Sequence, residues 1–269
     1  MTGTPHTQHR ARKRFGQNFL VDDYVVQRIV AAIAARDDQH LVEIGPGQGV
    51  LTGPLLESGC RLDVVELDRD LIAGLLAAFV RNPRFTLHQG DALRFEFDTL
   101  GEPATRLRIV GNLPYNISTP LIFKLLQHTD RVQDMHFMLQ REVVDRLAAT
   151  PGNKLWGRLG IMAQYHCRVE HLFDVPPDAF RPAPKVWSAV VRLAPHRTSP
   201  WPDCNEHALR DVVRSAFAQR RKTLRNNLKA IISGRQLEAL GIDPGARAET
   251  LKLTQFIEIA NARHEQSTV

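Results

Sequence analysis

The sequence predicts a doubly wound, mostly parallel α/β sheet followed by a small all-helical domain. Three observations carry this expectation. Short apolar runs of strand character alternate with segments of helical periodicity through the first two thirds of the chain. A glycine-rich turn follows the first of the buried strands. Strand patterning then stops after a proline-rich stretch at 195–202 (PHRTSPWP). A length of 269 residues, 43% of them hydrophobic, allows one large core and one small one. The expected domains are 1–195 and 203–269.

The elements follow in order. Residues 22–36 (DDYVVQRIVAAIAAR) are expected to be helical, because apolar residues recur at 25, 26, 29, 30 and 33 and acids precede the first turn. Residues 39–44 (QHLVEI) read as a buried strand, and 50–58 as a helix stopped by Gly59. A second strand at 61–67 (RLDVVEL) leads to a helix at 69–80 that ends near Pro83. Third and fourth strands are expected at 84–88 and 106–110. Ser118 is the expected N-cap of a helix over 118–127. A fifth strand at 132–139 precedes a helix at 141–149, and late strands at 167–173 and 187–193 flank a proline-rich turn. Ligands of such a sheet collect at the carboxyl ends of its strands.

Composition narrows the partners. The net charge is +6, which suits a polyanion. The longest apolar stretches, such as 71–80, are about half of what a membrane span needs, so no membrane association is expected. The N-terminus (MTGTPHTQHRARKR) is basic without an apolar segment, unlike a secretory signal. Cys60, Cys167 and Cys204 are far apart and form no metal-ligand spacing, so neither a disulfide framework nor a bound metal is expected. A cytoplasmic protein is the expectation.

The first strand runs into Glu43-Ile44-Gly45-Pro46-Gly47-Gln48-Gly49. Glycines here let backbone approach a ligand and turn sharply into a helix. A dinucleotide fingerprint would place Gly or Ala at position 50, where this chain has Val50, so a different nucleotide-like cofactor is indicated. Glu66 ends the second strand, where a carboxylate accepts hydrogen bonds from both hydroxyls of a ribose. Asp91 ends the third, where it can accept from the amino group of an adenine ring.

The fourth strand ends in Gly111-Asn112-Leu113-Pro114-Tyr115. The exocyclic amine of adenine is a poor nucleophile, because its lone pair is delocalised into the ring. An enzyme that alkylates it must accept hydrogen bonds from the amine and draw the nitrogen towards tetrahedral geometry. The Asn112 side-chain carbonyl and the Leu113 backbone carbonyl are suited to this. Pro114 stiffens the turn, and Tyr115 offers a face for the base.

These motifs together resemble the rRNA adenine dimethyltransferase family. The resemblance rests on Gln17-Asn18-Phe19-Leu20, residues 43–49, Gly90-Asp91-Ala92, residues 112–119 (NLPYNIST) and residues 180–188 (FRPAPKVWS). Lys13-Arg14-Phe15-Gly16 and residues 219–229 (QRRKTLRNNLK) resemble the bacterial small-subunit members most. The resemblance spans about residues 12–230, and the last 40 residues match poorly. It implies a seven-stranded, Rossmann-like S-adenosylmethionine-dependent methyltransferase sheet whose last strand is antiparallel. It also implies dimethylation of two adjacent adenosines in the 3′-terminal hairpin of small-subunit rRNA, on 30S particles late in assembly. By the same resemblance the cofactor residues are Asn18, Leu20, Gly45, Gly47, Glu66, Asp91 and Asn112, and residues 112–115 with Phe180 hold the target base.

A basic surface fits that substrate. Seven basic residues and one acid lie between Arg210 and Lys229. On a single helix, Arg210, Arg214, Arg221, Arg225 and Lys229 would share one broad face. Arg221, Lys222 and Arg225, with Arg12, Lys13 and Arg14 near the N-terminus, are the expected RNA contacts. Phe180, in the proline-rich turn, is expected to close over a flipped adenine opposite Tyr115. RNA is favoured over DNA, since bases in RNA loops are already unstacked. A monomer is expected. A large-subunit adenine methyltransferase and an assembly factor with dispensable catalysis remain the alternatives.

Overall fold

The computed structural model describes residues 17–102 and 104–267. Arg12, Lys13 and Arg14 lie outside the described residues. The chain forms two compact units: described residues up to Val144 with Glu170–Pro195, and Asp145–Val169 with His196 onwards. This division differs from the expected domains. The expected boundary places 145–169 in the sheet domain, but the segment groups with the C-terminal helices.

The first unit carries β1 (Phe19–Leu20), α1 (Asp23–Ile33), β2 (His40–Ile44), α2 (Thr52–Glu57), β3 (Arg61–Glu66) and α3 (Arg69–Phe79). It continues with β4 (Phe85–Gln89), β5 (Leu107–Asn112), α4 (Ser118–Leu125) and β6 (Val132–Gln140). Helix α5 (Arg141–Leu147) follows, then α6 (Arg158–His166), β7 (Cys167–Val175), β8 (Phe180–Arg181) and β9 (Ser188–Pro195). The boundary between units falls inside α5 and β7, and α6 belongs to the second unit.

Seven strands form one sheet in the order β4-β3-β2-β5-β6-β9-β7. Strands β2 to β6 pair in parallel, and β9 is antiparallel to β6. The chain winds outward from β2 to β4, then returns to the other side of β2 as β5. The switch point therefore lies between β2 and β5, where a crevice opens above the strand ends. All five residues of β2 are buried, which explains its unbroken apolar character apart from His40 and Glu43.

Helix α1 starts where Asp22 accepts the Val25 N–H and ends at Ile33, three residues before the expected limit. Ala34 takes a left-handed φ of 47°, and the Arg108 guanidinium donates to the carbonyls of Ile33 and Ala34. A buried cation thus satisfies the helix terminus and its dipole. Arg108 also makes a two-pronged ion pair with Asp134, at 2.8 and 3.1 Å, and donates to Gln39 Oε1 at 2.8 Å. Arg192 adds a second cation to Asp134 at 3.1 Å.

Two features of the first unit differ from the sequence expectation. Strands β1 and β8, which it lacks, pair antiparallel over two residues, Phe19↔Arg181 and Leu20↔Phe180. Ser118 is not the N-cap of α4: Ile117 holds that position, and the Ser118 hydroxyl donates back to the Tyr115 carbonyl.

The second unit is helical, as expected, with α6, α7 (Glu206–Ala216), α8 (Leu224–Asn227), α9 (Gly234–Ala239) and α10 (Leu253–Ser267). Helices α7 and α10 pack together. Asn205 caps α7 by accepting the Ala208 N–H, and Ser233 with Gln236 form a capping box on α9. No described helix is long and apolar enough to cross a membrane.

Candidate active site

The crevice at the switch point is lined by the loops that follow β2, β3, β4 and β5 and by the segment before β1. It gathers Asn18, Leu20, Gly45, Gly47, Glu66, Asp91, Asn112, Leu113, Pro114 and Tyr115. These are ten of the eleven residues that the sequence predicts to lie together, the eleventh being Phe180. Their side chains are positioned by strand ends and short ties rather than by long loops.

The glycine loop sets the floor. Gly47 takes φ of +61°, and a Cβ there would meet the Phe19 ring at 3.3 Å. Glycine is thus required both for the turn and for the approach of β1. The carboxylate of Glu66 latches this loop: Gly47 N donates to one oxygen at 3.3 Å and Asp68 N to the other at 2.8 Å. Each oxygen keeps lone-pair capacity for a further donor. Glu66 is only 6% exposed, and burial raises its pKa. Asp91 is braced by the Leu93 N–H at 2.9 Å.

The sequence motif gives Glu43 no role of its own. In the structure it is a buried carboxyl on the same crevice, pushed up to about 7 by burial, with the Thr52 hydroxyl donating to it at 2.6 Å. Its signal is an acid inside an otherwise apolar strand. Asp68, also without a role in the sequence reading, is 2% exposed, caps α3 and accepts from the Gln17 amide at 2.9 Å. Neither Glu43 nor Glu66 is paired with a basic side chain among the described residues. A crevice with two such carboxylates suits a cationic nucleoside, and S-adenosylmethionine, a sulfonium, fits that description.

Strand β5 runs to Asn112, two residues beyond its expected end, so the motif begins within the sheet. A Cβ on Gly111 would lie 2.5 Å from the Ile44 carbonyl oxygen, so only glycine lets the two strand ends approach here. The Asn112 amide Nδ2 donates to the Asn18 carbonyl at 3.1 Å. An NH₂ must face that carbonyl, which leaves Oδ1 as the atom free to accept from a ligand. The β1–β8 pairing, with Val21 N donating to the Ala179 carbonyl, holds the Asn18 segment in place.

Tyr115 lines the crevice half-buried, and its hydroxyl is bonded to Ser188 Oγ at 2.7 Å, tying the motif to β9. Phe180 departs from its expected place. It is fully buried in the cluster that includes Leu20, Val26, Ala179 and Val190, and it does not line the crevice. Its partner across the ladder is Leu20, so here it fixes the segment that carries Asn18 instead of facing a base.

The basic segment is likewise not one helix. Helix α7 ends at Ala216, a turn follows, and α8 spans only Leu224–Asn227. The Asn227 amide donates to the carbonyls of Ala216 at 2.7 Å and Gln219 at 3.0 Å, which fixes the turn. Arg210 pairs with Glu206, Arg214 with Asp211 and Arg220 with Glu249, so these charges are internally balanced. Arg221, Lys222 and Arg225 are exposed, and Arg225 lies 3.9 Å from Glu238.

A family model described as ribosomal RNA adenine dimethylase matches residues 8–265. That extends well past residue 230 and corrects the expectation that the last 40 residues match poorly. The ribosomal RNA small subunit methyltransferase A of Pseudomonas aeruginosa is 62% identical over 254 residues, covering 94% of this chain and 95% of the relative. Its counterpart in Pseudomonas syringae pv. tomato is 59% identical over 263 residues, 98% of each. Among solved structures, a dimethyladenosine transferase from Plasmodium falciparum aligns with a TM-score of 0.79 at 24% identity, over 93% of this chain and 98% of that one. That last likeness concerns the fold alone.

Proposed function

The chain belongs to the ribosomal RNA adenine dimethylase family, and on that premise we infer that it dimethylates adenosines of small-subunit ribosomal RNA with S-adenosylmethionine as methyl donor. The substrate that best fits the resemblance is a pair of adjacent adenosines in the 3′-terminal hairpin of 16S rRNA, presented on a 30S particle in the cytoplasm. The observation that best supports the reading is the hydrogen bond from Asn112 Nδ2 to the Asn18 carbonyl, which leaves Oδ1 as the unspent acceptor of a residue that lines the crevice.

The residues divide the work. Glu66 would take the ribose hydroxyls and Asp91 the adenine amine of the donor, with Gly45, Gly47 and Leu20 against its remaining surface. The donor supplies an electrophilic methyl on a good leaving group. The chain's own contribution is to hold the target amine in line with it. Asn112 Oδ1 and the Leu113 carbonyl accept the amine protons and localise its lone pair, and Tyr115 stacks on the ring. Proximity and orientation supply most of the acceleration. The amine's proton leaves to water after transfer.

Two outcomes are expected. Glu66→Ala weakens S-adenosylmethionine binding by about 10- to 150-fold, the loss of a charge-assisted site of roughly 1.5–3 kcal/mol. Calorimetry showing unchanged affinity would take Glu66 out of the site. Charge reversal at Arg221, Lys222 and Arg225 weakens binding to small-subunit particles and flattens its salt dependence. The log–log slope falls by roughly 0.7–0.9 for each phosphate that is no longer neutralised. Cofactor affinity stays the same. A triple variant that binds like the wild type at every salt concentration would make this face merely solvated.

A further inference from the structure

We propose that Trp187 is a stacking platform for an unpaired nucleobase of the substrate RNA, next to the adenosine being methylated. The proposal rests on the rRNA-methylating reading above and adds a substrate contact to it. Trp187 is 49% exposed and Val186 beside it 45%, both on the first unit. Side by side, these two residues form an exposed apolar patch whose aromatic face a binding partner can cover.

Its location is fixed by register. Strand β9 runs antiparallel to β6, so its first residues lie at the carboxyl ends of the parallel strands, the same edge as the crevice. Gln140 faces Ser188, and the Arg141 N–H donates to the Trp187 carbonyl at 2.9 Å, which holds Trp187 at the rim. Ser188, its covalent neighbour, is the residue that bonds the Tyr115 hydroxyl at 2.7 Å. The Cα atoms of Trp187 and Ser188 are about 3.8 Å apart. Trp187 thus lies at the same strand-end edge as Tyr115, one residue from the position that ties it, and the proposal places a nucleotide neighbouring the target at this edge. Exposed Lys185 and Arg181 precede the tryptophan by two and six residues in the chain and favour a polyanion as occupant. Stacking accepts any base, which suits the splayed nucleotides around an extruded target.

The test is steady-state methylation of small-subunit particles that lack the modification. Trp187→Ala is expected to raise KM for particles by about 5- to 150-fold, the range for removing one base stack, with the effect falling in KM rather than kcat. Trp187→Phe should recover most of the affinity and Trp187→Leu should not, because stacking needs a π face. S-adenosylmethionine affinity and thermal stability serve as controls for folding. A Trp187→Ala enzyme with wild-type KM overturns the proposal. So does full rescue by leucine, which would indicate an apolar contact with a protein of the particle. A wild-type chain that leaves particles unmethylated would instead defeat the underlying reading.

Discussion

Asn112→Ala should lower the single-turnover rate of methyl transfer by roughly 10²-fold or more, the range for removing one positioned polar group. The amide's Nδ2 is spent on the Asn18 carbonyl. In the proposed role its Oδ1 accepts from the target amine, and that bond would strengthen as the nitrogen becomes tetrahedral. The loss therefore falls on turnover and not on RNA affinity, which phosphates dominate. Asn112 also borders the cofactor crevice, so the rate must be read at saturating S-adenosylmethionine. Asn112→Asp is a sharper companion. It keeps the size but places a carboxylate against the Asn18 carbonyl, so the side chain is no longer held. A near wild-type rate for the alanine variant at saturation would leave Asn112 a structural strand-end residue.

The largest expected loss of stability is at Asp134. Replacing it with alanine leaves the guanidinium of Arg108, itself 5% exposed, buried without its carboxylate. Breaking one side of a buried ion pair costs about 3–5 kcal/mol, read as a lower denaturant midpoint. An Asp134 variant within about 1 kcal/mol of the wild type would contradict this. The same cluster sets the acid limit of the fold. Burial is the largest influence on the Asp134 carboxyl and raises it, but the Arg108 hydrogen bond and the neighbouring positive charges together outweigh it, and the net pKa is lowered. Its contribution is thus present above the ordinary carboxylate range and is lost as pH falls through the lowered value. His136, 3% exposed beside it, is pushed down to about 4 by burial. The unfolded chain takes up that proton first, so the contribution of His136 to stability declines from about 6.5 downwards, before Asp134 titrates.

Much of the sheet is legible in the sequence because its central strands are buried on both faces and read as short apolar runs between turn residues. The crevice is legible because four strand ends each carry a glycine loop, an acid or an amide, and topology brings those ends together. The rest depends on contacts that have no period. Strands of two residues leave no alternation to read, so the β1–β8 pairing that seats Asn18 is invisible. Phe180 sits in a turn rich in proline, which suits a mobile aromatic, but its pairing with Leu20 drives it into the core. The break at Ala216 depends on the Asn227 amide reaching back to two carbonyls, a tertiary cap within a charged run that suits helix and turn equally. Residues 158–166 have no place in the expected element order, and they group with the C-terminal helices rather than with the sheet.

The most direct test of the central claim is incubation of the chain with labelled S-adenosylmethionine and small-subunit particles that lack the modification, followed by digestion and mapping of the labelled nucleosides. The expected product is N6,N6-dimethyladenosine at two adjacent positions of the 3′-terminal hairpin. Label in large-subunit RNA, on another base or in no RNA at all would contradict the account.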